Sequence, residues 1–396
     1  MRRHTTTHRC GRQAHKNVRI AAPVFTLDLE CLESRYLLAV FTVDSPLDIV
    51  DPNDGVTTLR EAVLAANALP TPDIINFIPA LAGSVITLTQ GELLITDSVT
   101  IEGLGSDLLT IDGNNQSRIF YNTGPSLTIR DLTLTNAASA AVGGSGPTSL
   151  EQVVITGNNG AGVSVSGQLS IAESIIENNS EGGVILQGWC SELQILGSTI
   201  SGNSADGIRF NTDCTYASAI ISDSTVTNNQ QNGILGHSRA NVTVQHSLIS
   251  GNGDAGLRIH SSVNYRYFSP SLLFDSNQIR SNLGGGIRIV GSPHTWFADP
   301  PHWPYTPYIM HPSFQIRGGD VTENYSSSHG GGIYISNARG SLRDMSITDN
   351  VSHSTGGGIY KYGYGSLVAL FDTDIRNNTA YSAGGSYNRK LCSLTK

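Results

Sequence analysis

Arg258 and His260 stand two residues apart in this chain, and Arg288 and His237 hold matching places in neighbouring stretches. Arginine grips a carboxylate through two parallel donors, and histidine moves protons near neutral pH. Asp206, Asp213 and Asp254 lie nearby and carry the oxygen ligands that Ca²⁺ takes, so they are the metal candidates. Together with Arg209, this set could hold an acidic sugar chain. Arg209, Asp213, His237, Arg258 and His260 are the candidates for chemistry on it. The same residues also fit a solvated face that happens to carry basic groups. A second cluster sits in a proline-rich insertion, 291–313, where Trp296, Trp303, Tyr305 and Tyr308 could stack on sugar rings. Proline density there predicts neither strand nor helix. With Arg258 and Arg288 these aromatics form the ligand-binding candidates. His294, His302 and His311 lack tight metal-ligand spacing, and no cofactor is expected other than Ca²⁺ if the protein is a lyase.

These side chains can meet only if the chain repeats. It does so around nine asparagines: Asn158, Asn179, Asn203, Asn229, Asn252, Asn282, Asn324, Asn350 and Asn378. Each follows an apolar Ile or Val by three residues and precedes a Gly and an apolar pair, as in Gly207-Ile208-Arg209-Phe210. Such self-similarity marks stacked units rather than one globular core. Within one unit, Leu193 and Ile195 alternate with polar neighbours, Ile200 follows a polar step, and Ile208 and Phe210 close the phrase. Three short strands and three corners make one coil of a parallel β-helix. The coil has no room for a crossover helix, and parallel crossovers are right-handed. About 11–12 coils are expected.

Stacking explains the fixed asparagine. Equivalent residues in adjacent coils lie about 4.8 Å apart, so amide side chains can pass hydrogen bonds along a column. Asparagine also tolerates the left-handed backbone, which suits it to a corner. Ser174, Ser198, Ser224 and Ser247 line up as a second column. In the strand after each glycine the second and fourth residues face outward. One outward column then reads Ile185, Arg209, Leu235, Arg258, Arg288, Tyr334, Tyr360, and the other Gln187, Asn211, His237, His260, Val290, Ser336, Tyr362.

Composition narrows the function classes. Charged residues are only 14% of the chain and glycines number 43, a turn-rich, weakly charged make-up. Net charge is −8, and residues 1–20 carry six basic and no acidic residues, so the remainder is more negative still. Nucleic acid is therefore an unsuitable partner. No apolar run is long enough for a transmembrane helix. Cys190 and Cys214 each lie seven residues after a repeat glycine, which stacks them in adjacent coils within disulfide reach.

Residues 57–67 break the repeat. Thr58 and Glu61 form a capping box, and Leu59, Ala62, Val63 and Ala66 share one helical face, predicting a short helix over 58–67 that covers the open end. Thr58-Leu59-Arg60-Glu61-Ala62-Val63 resembles the CSLREA motif of bacterial β-helix surface proteins, with Thr57 where Cys often stands. Leu32-Glu33-Ser34-Arg35-Tyr36-Leu37-Leu38-Ala39 resembles the LEPR-XLL segment of exported bacterial surface proteins, with Ser34 in place of Pro. The resemblance, over roughly 41–385, implies a pectin-lyase-like right-handed β-helix of the polymorphic outer-membrane-protein-like kind, exported to the cell surface or beyond. It implies no single activity. Asn211-Thr212-Asp213, Gly236-His237-Ser238 and Arg258-Ile259-His260 faintly echo polygalacturonase signatures. The paired aspartate is missing, Ser238 replaces a glycine, and His260 replaces a lysine.

The expected organisation is a basic leader (1–40), a cap (41–84), the β-helix (85–385) and an irregular tail (386–396) that reads as an altered or truncated end. The expected function is binding of a polysaccharide or other cell-surface component, or a structural or adhesive role, without catalysis. A polysaccharide lyase or hydrolase is the alternative, and an inactive truncated product the third reading.

Overall fold

The computed structural model describes residues 38–188, 191–212, 218–238, 241–262, 271–292, 294–296, 308–363 and 366–382. The chain winds as a parallel β-helix with three strand faces. One coil shows the plan: Leu193–Leu196 on the first face, Thr199–Ser201 on the second and Ile208–Thr212 on the third. Each pairs in parallel with its counterpart one coil on, Leu193 with Ala219, Thr199 with Thr225, Ile208 with Ile234. The third face is an 11-stranded sheet, and the first two join as one 23-stranded sheet. The alternation seen in sequence becomes an inside and an outside. Leu193, Ile195, Ile200, Ile208 and Phe210 fill the interior and are essentially inaccessible.

The asparagines form one continuous ladder. From Asn179 on, each side-chain oxygen accepts from the backbone N–H and from the Nδ2 of the asparagine one coil earlier, while that of Asn158 accepts from the Ala137 N–H. Asn179 donates from N at 3.1 Å and from Nδ2 at 3.0 Å to Oδ1 of Asn203. The chain of bonds runs unbroken from Asn158 to Asn378. The serine column works similarly, with Ser198 donating from N to Oγ of Ser224 at 3.2 Å. One expectation fails here. The left-handed residue at each corner is not the ladder asparagine but the one before it: Gly157, Asn178, Gly202, Asn228, Gly251, Ser281, Glu323, Asp349 and Asn377. The side chain of the ladder residue must point inward along the column, so the turn falls to its neighbour.

The single α-helix described spans Leu59–Asn67, with Thr58 as N-cap and the reciprocal Thr58–Glu61 bonds in place. Its buried stripe of Leu59, Ala62, Val63 and Ala66 packs over the first coils. Arg60 pins it through a two-pronged pair with Asp48, at 2.6 and 3.1 Å. Burial pushes the Asp48 carboxyl up, but Arg60 and the amides of Thr89 and Gln90 outweigh this and hold it below the usual range. The stack begins earlier than residue 85, because Val40–Val43 and Asp73–Phe77 already pair as first-face strands.

The proline-rich insertion also departs from expectation. His294–Trp296 and Tyr308–Met310 form an antiparallel pair at its stem. Neither triplet contains proline, so their N–H groups are free to pair; the prolines cluster between them. Trp303, Tyr305, Asp213, Cys190, Cys214 and the leader to Leu37 lie outside the described residues, as do the side chains of Trp296 and Tyr308. Among the described residues, no helix is long and apolar enough to cross a membrane.

Candidate functional site

The outward side of the third face carries the site. Parallel pairing fixes its register: Arg209, Leu235, Arg258, Arg288, Tyr334 and Tyr360 are successive Cα partners, as are Asn211, His237, His260, Val290, Ser336 and Tyr362. The structure thus brings Arg258, Arg288, His237 and His260 together. Arg209 belongs to the same column, two coils from Arg258.

The three arginines differ in what they hold. Arg209 reaches Asp206 from both Nε and Nη2 at 2.8 Å. That carboxylate is buried, and its other oxygen accepts from N and Nδ2 of Asn232. Asp206 therefore has no oxygen left for a cation. Arg258 donates from Nε to Nε2 of His260 at 3.1 Å and from Nη1 to Asp254 at 3.3 Å. Asp254 is partly exposed and only one of its oxygens takes part in this bond. No cluster of metal-ligating side chains occurs among the described residues. Arg288 is bound differently again. Its Nη1 donates to the carbonyls of Gly284 and His329, each at 3.3 Å, and its guanidinium lies 4.5 Å over the Tyr334 ring. Burial, then the charge of Arg258, lower its proton affinity.

The aromatic groups stack along the axis. His237 and His260 lie 4.6 Å apart and nearly parallel. Tyr334 stacks on Tyr360 at 5.6 Å, and His329 on Tyr360 at 4.4 Å. His329 was missed in the sequence because it precedes the strand. Its signal was its offset: His329 and Thr355 both lie five residues before a column tyrosine, and they meet at 2.7 Å.

The His260 imidazole titrates at about 4, lowered first by burial and then by His237, Arg258 and Arg288. The groups facing it also include Asp254, through Arg258. An unfolded histidine titrates near pH 6.5, so between about pH 6.5 and 4 the unfolded chain binds a proton the folded one does not. Stability from this group is whole above the upper value and falls as the pH falls. Thermal melts should therefore show a loss on acidification through this window, and His260→Asn should lack that part of it. An imidazole resonance of His260 titrating near 6.5 would contradict the geometry.

On the first face a groove of about 360 Å³ is lined by polar residues such as Thr128, Ser149, Ser170 and Gln194 mixed with Leu127 and Ile220, with no arginine in its wall. His246 and Asp223, at 3.7 Å, form an exposed pair at the corner beyond it.

A family model described as "Right handed beta helix region" matches residues 117–269. No curated protein sequence matches the chain. Among solved structures, the Agl-KA catalytic domain is similar at 15% identity over 84% of this chain and 66% of that one, with a TM-score of 0.56. The A-module of mannuronan C-5 epimerase AlgE6 from Azotobacter vinelandii is similar at 16% identity over 80% and 94%, TM-score 0.49. Pectate lyase Pel9A is similar at 15% identity over 88% and 82%, TM-score 0.38. At these identities the likeness is one of fold alone, a right-handed parallel β-helix.

Proposed function

We propose that this chain, exported to a cell surface, binds an acidic polysaccharide along the outward side of its third face. One observation carries the reading. Arg288 is a half-buried guanidinium held by two carbonyls and a ring, without a carboxylate partner among the described residues, and it stands one coil from Arg258. Two like charges brought this close favour an anion between them, and guanidinium–carboxylate bonds are the strong kind. The test is binding of purified protein to a polyuronate and to a neutral glucan. Arg258→Gln with Arg288→Gln should weaken polyuronate binding by roughly a hundredfold, since each charge-assisted contact contributes about 1.5–3 kcal/mol. Unchanged binding by the double variant would remove the reading.

A second reading rests on His260. Its imidazole is neutral at pH 7 and lies beside two guanidiniums. A sugar carboxylate held there would offset their charge and raise the imidazole's basicity. A carboxylate that draws the Arg258 guanidinium to itself frees Nε2 of His260; that nitrogen could then take the proton α to the carboxylate, the bond from the β-carbon to the glycosidic oxygen would break, and a carbon–carbon double bond would form. The leaving oxygen takes its proton from solvent. Ultraviolet absorbance of the unsaturated product, lost in His260→Ala while binding persists, is the expected signature. Binding without any such product leaves the first reading alone. Hydrolysis is less well served, because it needs two placed carboxylates and Asp206 is consumed by Arg209.

A further inference from the structure

The spacing of charge on this face says more than its sign. Arg209 is neutralised by the buried Asp206, and Leu235 follows it in the column. Arg258 is only loosely paired, through one 3.3 Å bond to the partly exposed Asp254, so the cations left to meet a ligand are Arg258 and Arg288, which are direct partners in register, about 4.8 Å apart along the axis. The column then continues with Tyr334 and Tyr360. Their ring faces are engaged by the Arg288 guanidinium, by each other and by His329. What they offer outward is their rims and hydroxyls, so flat stacking of sugars on this strip is unfavoured.

We infer that the ligand lies parallel to the axis of the β-helix with one monomer per coil, and that consecutive monomers, not alternate ones, are acidic. This rests on the proposed binding of an acidic polysaccharide and specifies its charge pattern. The coil rise of about 4.8 Å is comparable to the length of one pyranose ring with its glycosidic oxygen. Two acidic neighbours therefore seat on Arg258 and Arg288, and the hydroxyls of the next two monomers meet Tyr334 and Tyr360. A chain with an acid on every second monomer places its charges two coils apart. Counted from Arg288 that position is Leu235 or Tyr360, neither a cation, and counted from Arg258 it is Tyr334 or Arg209, whose charge the buried Asp206 already takes.

The test compares two oligosaccharides with the same number of carboxylates, one acidic at every sugar and one at alternate sugars. Calorimetric titration of the full chain should show the first binding about tenfold tighter. Arg288→Gln should abolish that preference, and Tyr334→Phe should weaken the contiguous ligand by a few-fold, with circular dichroism confirming that both variants fold. Arg343→Gln, on the first face over Phe371, should change neither ligand. Equal affinity for the two oligosaccharides, lost together in Arg258→Gln with Arg288→Gln, would overturn the register while leaving acidic-polysaccharide binding intact. Failure of both oligosaccharides to bind would overturn the binding proposal itself and this inference with it.

Discussion

Asn229→Ala is expected to lower the free energy of unfolding by about 3–5 kcal/mol, enough to unfold much of the stack under mild denaturant. The substitution removes four bonds. Oδ1 of Asn229 accepts from N and Nδ2 of Asn203 at 3.1 and 2.9 Å, and its Nδ2 donates to the Ile200 carbonyl at 3.2 Å and to Oδ1 of Asn252 at 3.1 Å. Water cannot reach the groups left behind, because Asn203, Asn229 and Asn252 are all buried. The Asn203 N–H and the Ile200 carbonyl would stand without these partners, each at the cost of a buried unmade bond. Asn378→Ala makes the contrast. It removes the last rung among the described residues, where Nδ2 reaches only backbone carbonyls and no further asparagine, so a smaller loss of about 1–2 kcal/mol is expected there. Solenoid stability is a sum of coil and interface contributions, so the midpoint in urea should separate the two variants clearly. Equal effects would mean that the ladder is decoration on a stack held by its apolar interior.

What was legible before the structure follows from what stacking repeats. A column position must be filled alike in every coil, so the asparagines and the inward Ile and Val residues announce themselves, and the outward pairing of Arg258 with Arg288 follows by counting from the glycine. Positions that stacking leaves free were harder to read. The left-handed corner residue is Ser281, Glu323 or Asp349 as readily as glycine, because the ladder on its C-terminal side holds the turn whatever the side chain. His329 lies off the strand, and its contact with Thr355 depends on how a corner bends. The antiparallel pair in the insertion was hidden by prolines that flank it without entering it. The distinction between Arg209 and Arg288 was equally hidden. Both stand in one outward column, yet a carboxylate three residues upstream silences the first, while the second finds carbonyls and a ring.

The second large effect is expected inside the third face, beneath the candidate site. Phe210 and Gly236 are partners in register, and Ile259 follows in the next coil. The phenyl ring fills the place that Gly236 leaves empty. A β-carbon at Gly236 would lie 2.6 Å from Cε2 of Phe210 and 2.8 Å from Cδ1 of Ile259. Gly236→Val must therefore displace a fully buried ring, at a cost of about 3 kcal/mol. Phe210→Ala leaves a void and should cost about 3–5 kcal/mol. Each change repairs the fault of the other, so the double variant Phe210→Ala with Gly236→Val should fall short of the sum by 2 kcal/mol or more, a coupling of the size seen for residues in contact. Simple additivity in urea unfolding would refute the interlock. The same strands carry Asn211 and His237 outward, so a ring pushed aside at Gly236 also shifts the backbone that holds His237 against His260. Gly236→Val should then disturb the imidazole resonances of that pair, whereas the double variant, with the ring gone, should restore them.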